Sequence, residues 1–221
     1  MSDLRINDCF FHSIIHGEEK SLKVIKGILG DKAIRSPKSL GVKARFGCHK
    51  EDDICLSKVT KEKNVHGLIS CFDLYLPRLT TFIIDKNVKN NQRIIKPNVV
   101  PVDKLYKYEE GTATNLYDEY RTKKDIPLEY VKGICIPYNN LVEDPVLFMQ
   151  FLCEDILMAY YNGELYQCVI EQIRNEQTND KAKKLRIDCL EEYIKIVKKL
   201  LVDNDTEIPI YNYDNRKFIL R

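Results

Sequence analysis

The stretch "CFFHSIIHGEEKSLKVIKGIL" spans Cys9 to Leu29 and changes character midway. Residues 8–15, "DCFFHSII", are rich in Phe and Ile and read as a buried strand. From about Ser21 the apolar residues Leu22, Ile25, Ile28 and Leu29 recur at helical spacing, and Gly30 is a candidate breaker at the helix end. His12 and His16 stand where the strand hands over to the helix, and the whole chain has four histidines. Metal ligands, a general base, a substrate clamp or plain filler would each put histidines there.

The bulk properties narrow the field. With 221 residues, 44% hydrophobic and 31% charged, the chain carries enough apolar material for one folded domain, 1–221. A net charge of +2 does not by itself imply nucleic acid or an anionic membrane. The basic cluster "KNVKNNQRIIK" (86–96) reads as a solvated loop. The eight cysteines, at 9, 48, 55, 71, 135, 153, 168 and 189, form no C-x-x-C, and most have apolar neighbours. Reduced, mostly buried thiols in a cytoplasmic compartment are expected. An effector exported without a cleaved signal fits equally. "MSDLRIND" is charged where the apolar part of a signal peptide should follow, and no run of about 18 apolar residues predicts a membrane span.

Further along, Ile34 to Leu40 reads as a strand and turn, with Pro37 barring a helix. "DDICLSK" (52–58), "LTTFIIDK" (79–86) and "LYDEYRT" (116–122) read as strands, and residues 87–115 as polar loop. "LEYVKGICIP" (128–137) reads as a strand, or as a short helix followed by one. Residues 144–173 and 179–201 read as a helical pair, the first opened by Asp144 and Pro145, the second with Leu185, Cys189, Tyr193, Ile196 and Leu200 on one face. "EIPIYNY" (207–213) closes the chain as a strand. The pattern divides into a β-rich part, 1–143, and a helical C-terminal extension, 144–221. Strands and helices do not alternate regularly, so the class is α+β.

Three chemistries can be weighed from residue types. Cys48 and Cys55 match no common zinc spacing, and "FFHSII" is not helical enough to put His12 and His16 on one helix face, so no metal is expected. Cys9 lies near His12 in sequence, but a cysteine–histidine dyad needs spatial adjacency, and core packing is the simpler role. Walker and G-x-G-x-x-G phosphate loops are absent. In "YDEYRT", alternation puts Tyr117, Glu119 and Arg121 on one face of a strand. An edge strand with charges exposed on both faces would account for the same pattern. If the first face points inward, its carboxylate needs a partner or a function.

Four segments together, "FFHSII…SLKVIKGILGDKAIRS", "DDICLSK", "RLTTFIIDK" and "DEYRTKKDIPLEYVKGICIP", resemble the ADP-ribosyltransferase superfamily. The likeness is to its diphtheria-toxin and PARP-like (His–Tyr–Glu) branch, as a divergent member of bacterial type, over roughly residues 8–137. It implies a split β-sandwich with an early helix, followed here by the C-terminal helical pair. It implies NAD as substrate and no metal. His12 then matches the histidine that bonds the adenosine-side ribose, Ser13 assists it, and His16 is a rival for the same role. Ser57 matches the middle motif, where the PARP-like pattern carries Tyr. Glu119 is implied as the catalytic glutamate. The position two residues earlier holds Tyr117, whereas arginine-modifying members carry Glu there, so the acceptor class stays open.

Such residues suit the chemistry. Cleavage of the nicotinamide–ribose bond builds positive charge on the ribose, which a nearby carboxylate stabilises. A histidine on the other ribose fixes the dinucleotide's orientation. The resemblance thus implies transfer of ADP-ribose to a protein or nucleic acid, or hydrolysis of NAD. Toxin, phage-defence and effector roles are compatible, with an antitoxin or target protein as partner and no membrane. Two alternatives stand beside it: an enzyme of the same fold that removes an RNA 2′-phosphate, and an interaction protein docking a partner through its C-terminal helices.

Overall fold

The computed structural model describes residues 4–5, 8–14, 21–42, 53–57, 80–90, 94, 97–99, 108–110, 119–143, 145, 148, 180–214 and 217–221. Its organising element is strand β1, Cys9–Ser13. Period-2 alternation buries both of its faces: Phe10 joins one apolar cluster, and Cys9 and Phe11 join another. A strand buried on both sides belongs in the middle of a sheet. β1 indeed lies between β3, Ile54–Ser57, and β4, Thr81–Asp85, antiparallel to both.

Helix α1, Ser21–Gly30, follows β1, with Ile25, Ile28 and Leu29 buried as the spacing predicts. The left-handed residue that turns the chain is Lys32 (φ 54°), not Gly30. Lys32 also donates its ammonium to the Asn204 carbonyl and to Thr206 Oγ1, and those bonds hold the strained backbone in place. The strand and turn expected over Ile34–Leu40 take the form of β2, Ala33–Ile34, followed by turns. β2 pairs with β8, Ile126–Pro127.

The stretch read as loop from 87 to 115 carries structure. A 3-10 turn spans Lys86–Asn90 and buries Val88 within the basic cluster. An antiparallel pair follows, β5 (Pro97–Val99) with β6 (Tyr108–Glu110). β7, Glu119–Thr122, pairs with β3. "LEYVKGICIP" resolves into a 3-10 turn, Leu128–Tyr130, and strand β9, Val131–Cys135.

A short helix, α2, Tyr138–Glu143, then starts ahead of the predicted Asp144 boundary. Most of the helix expected over 144–173 lies outside the described residues. The second expected helix is α3, Asp180–Asp203. Its buried face comprises Ala182, Arg186, Cys189, Leu190, Tyr193, Ile194, Val197 and Leu201. That face is turned from the predicted one, with Leu185, Ile196 and Leu200 at its margin. Hydropathy alone missed Arg186, whose Nε donates to the buried Val142 carbonyl at 2.8 Å. The chain closes on β10, Ile210–Asp214, and on β11, Lys217–Leu220, which the sequence reading lacked.

The main sheet has seven strands in the order β11-β10-β9-β4-β1-β3-β7. Every pairing is antiparallel except β9 with β10. One face packs Phe10, Phe82, Ile84 and Ile134 against Ile25 and Leu29 of α1 and Tyr193 and Val197 of α3. The Tyr193 hydroxyl and Thr80 Oγ1 share a hydrogen bond of 2.6 Å inside this layer. The opposite face carries a smaller cluster of Cys9, Phe11, Ile83, Cys135 and Tyr213. The molecule is a mixed α/β fold in which α3 lies on the core. Among the described residues no helix is long and apolar enough to cross a membrane.

Candidate functional site

Of the residues singled out from the sequence, His12 and Ser13 lie on β1, Ser57 on β3 and Glu119 on β7. Ser57 and Glu119 are direct cross-strand partners, and Ser57 also pairs with Phe11 of β1. Phe11, Ser57 and Glu119 thus form one row across three strands. Directly opposed positions on antiparallel strands bring their Cβ atoms to about 5 Å. No periodicity in either segment reveals this pairing, because register comes from the assembled sheet.

His12 and Ser13 are the next two residues of β1. Ser13 Oγ and Thr81 Oγ1 share a hydrogen bond of 2.9 Å across β1 and β4. His12 pairs with Phe82 in the backbone register, which puts it in the row alternate to that of Ser57 and Glu119. The junction is not a regular pleat, however. β1 and β4 stay in register along all of β1, whereas β1 and β3 meet only at Phe11↔Ser57. Beyond that point the histidine side chain joins the strands, with Nδ1 lying 2.9 Å from the Cys55 carbonyl oxygen. A carbonyl only accepts, so Nδ1 carries the proton in the neutral and the charged ring alike. A side chain completing the backbone pairing marks a seam where the two strands part. His16 lies outside the described residues.

Beside the row sits a buried ion pair. Arg121 and Asp53 are 7% and 8% exposed, and Nη1 of the arginine donates to Oδ2 of the aspartate at 2.8 Å. Thr122 is buried as well. β7 is an edge strand of the main sheet, but this burial overturns the picture of charges exposed on both of its faces. The β5–β6 pair lies against it through β5. Sequence alternation grouped Arg121 with Glu119 but held no sign of the Asp53 partner.

Cys9, Cys135 and Cys189 offer no nucleophile. Burial pushes Cys9 and Cys189 up to about 12 and raises Cys135 further, so all three stay protonated near neutral pH. Cys9 instead donates its S–H toward the Arg5 carbonyl at 3.5 Å. Cys55, on β3, forms no disulfide, and neither do these three. Cys48, Cys71, Cys153 and Cys168 lie outside the described residues. Among the described residues no three His, Cys, Asp or Glu side chains converge in a way that could hold a metal ion.

No protein-family model matches the chain, and no curated protein matches it. Solved structures of DarT from Thermus sp. 2.9 superpose on part of it. The complex with carba-NAD+ aligns at a TM-score of 0.36, and the complex with NAD+ at 0.37. Each is 10% identical and covers 66% of this chain and 90% of the DarT chain.

Proposed function

We propose that the chain is an NAD-dependent ADP-ribosyltransferase that transfers ADP-ribose to a macromolecular acceptor. The observation that carries this reading is the Ser57↔Glu119 register pair. The superfamily resemblance assigns these two residues, far apart in sequence, to one nicotinamide-ribose site. Their direct opposition across β3 and β7 supports that reading.

In this mechanism the Glu119 carboxylate lies against the nicotinamide ribose. It holds the 2′-hydroxyl and stabilises the oxocarbenium charge as the bond to nicotinamide breaks. The electron pair of that bond leaves with nicotinamide, which departs neutral. An acceptor nucleophile then adds to the ribose carbon and gives up its proton. Ser57 borders the nicotinamide, and His12, at the seam where β1 and β3 part, holds the adenosine-side ribose with help from Ser13. His16 competes for that role. With water as acceptor the same steps hydrolyse NAD.

The alternative in which the C-terminal helices dock a partner finds less support. The apolar face of α3 is buried in the molecule's own core.

Incubation with NAD labelled in the nicotinamide ring tests the proposal. The wild type should release nicotinamide, and Glu119→Gln should lower the rate by about 10²–10³-fold. Release that survives this substitution removes Glu119 from the mechanism. A chain that fails to bind NAD at millimolar concentration is not this enzyme. His12→Ala and His16→Ala in the same assay separate the two histidines by their effect on KM.

A further inference from the structure

We infer that Arg121, braced by Asp53, is the positioning residue for Glu119, and that it keeps that carboxylate charged and directed along the Phe11–Ser57–Glu119 row. The inference rests on the NAD reading above and extends it to a residue pair that the resemblance does not assign.

The argument begins with cost. Removing an arginine and an aspartate from water is expensive, and an apolar pair of similar volume usually serves stability as well or better. A buried pair on an edge strand therefore calls for another reason. Register supplies one. On β7, Arg121 is two residues beyond Glu119, on the same face by alternation. On β3, Ser57 opposes Glu119 and Cys55 opposes Arg121, while Asp53 stands one step further in the same direction. By register Arg121 thus stands between Asp53 and Glu119 along this face. Two strand residues span about 7 Å and four about 13 Å. Of the two members of the ion pair, Arg121 is therefore the nearer to Glu119 along the backbone.

Other titratable groups stand near the row among the described residues. Cys55 is the only other titratable residue of β3, and it is uncharged when protonated. β5, which lies against β7, holds Pro97, Asn98 and Val99 and titrates nowhere. Tyr108, Glu109 and Glu110 belong to β6, one strand further out. Lys123 follows β7 and is exposed. Asp53 has a second task in this arrangement. It fixes the guanidinium, so that the positive charge is set before substrate arrives and need not reorganise during the reaction.

Three variants test this. Arg121→Gln removes the charge, the double variant Asp53→Asn/Arg121→Gln removes the pair without stranding either partner, and Arg121→Lys keeps the charge but loses the fork. Glu119 is titrated by carboxyl-carbon NMR, with its resonance assigned by loss in Glu119→Gln, and the pH profile of nicotinamide release is recorded in parallel. In Arg121→Gln the Glu119 midpoint should rise by about one pH unit. The acid limb of release should move with it. The double variant should show a smaller rise, and it answers the question if the single variant does not fold. Arg121→Lys should return the midpoint toward the wild-type position, which a purely structural role would not produce. Release that requires Glu119 together with an unmoved Glu119 titration in the folded variants overturns Arg121's role alone. A wild type that releases no nicotinamide overturns the NAD reading and Arg121's role with it.

Discussion

Thr80 and Tyr193 are both fully buried and share one hydrogen bond between the sheet and α3. Tyr193→Phe keeps the ring and deletes the hydroxyl, leaving Thr80 Oγ1 without this partner in an apolar layer. The expected cost is about 1–2 kcal/mol, read as a lower urea midpoint with an unchanged m-value. Thr80→Val with Tyr193→Phe should recover part of it, because neither polar group then remains. A second expectation concerns reactivity. A thiol pushed up to about 12, as at Cys9 and Cys189, holds on the order of 10⁻⁴ thiolate at pH 8. Site-resolved alkylation of the native chain should modify these two at least about a thousandfold more slowly than in the urea-unfolded chain. Equal rates in the two states would mean that these thiols are not held in the core. Residue chemistry of this kind was partly legible beforehand. Apolar neighbours announced the buried cysteines, and the strand pattern put His12 within a core strand. The Asp53–Arg121 pair was not legible, since a carboxylate and a guanidinium distant in sequence carry no local trace of one another.

At the scale of elements, close approach decides the β9–β10 pairing. A Cβ on Gly133 would stand 2.6 Å from Tyr211 Cδ2 and 3.2 Å from the Pro209 carbonyl oxygen. Tyr211 packs on Phe218 and on the smaller cluster, so its ring cannot yield without disturbing both. Gly133→Ala should therefore destabilise the protein by about 1–3 kcal/mol. Tyr211→Ala should relieve the clash, so the double variant should lose less than the sum of the single losses in urea titrations. Most elements were readable from periodicity: β1, α1, β3, β4, β7 and α3 lie where alternation or helical spacing put them. Misses have a shared physical origin. β5 and β6 hold three residues each, too few for alternation to register. The face of α3 was turned because Leu190, Ile194, Val197 and Leu201 form a second apolar stripe beside the expected one, and Arg186 within it bonds a backbone carbonyl through Nε, which hydropathy does not show.

Among the described residues, three thiols and two phenols titrate above their ordinary range. Cys9, Cys135 and Cys189 are raised from 9.0, and Tyr138 and Tyr211 from 10.0, mainly by burial. Above about pH 9 the unfolded chain therefore binds fewer protons than the folded one. Stability from these groups is complete below pH 9 and falls as pH rises toward 12. Urea midpoints should decline between about pH 9 and pH 12. The second whole-molecule expectation concerns the division of the chain at residue 143. The larger core cluster takes Phe10, Phe82 and Ile134 from one side of that point and Tyr193, Val197 and Leu201 from the other. β9 pairs with β10, which follows α3, and α1 packs on α3. A fragment ending at Glu143 loses the cover over one face of its sheet and the parallel partner of β9. Uncovered apolar area of that kind costs about 25 cal/mol per Å² and leaves a sheet with an open, adhesive edge. The fragment 1–143 should show no cooperative thermal transition by circular dichroism and should bind a hydrophobic dye that the full chain does not. Adding residues 144–221 in trans should restore the transition if the helices act by packing. A fragment that unfolds cooperatively by itself would make α3 an accessory layer, and the argument that its apolar face is core would fail.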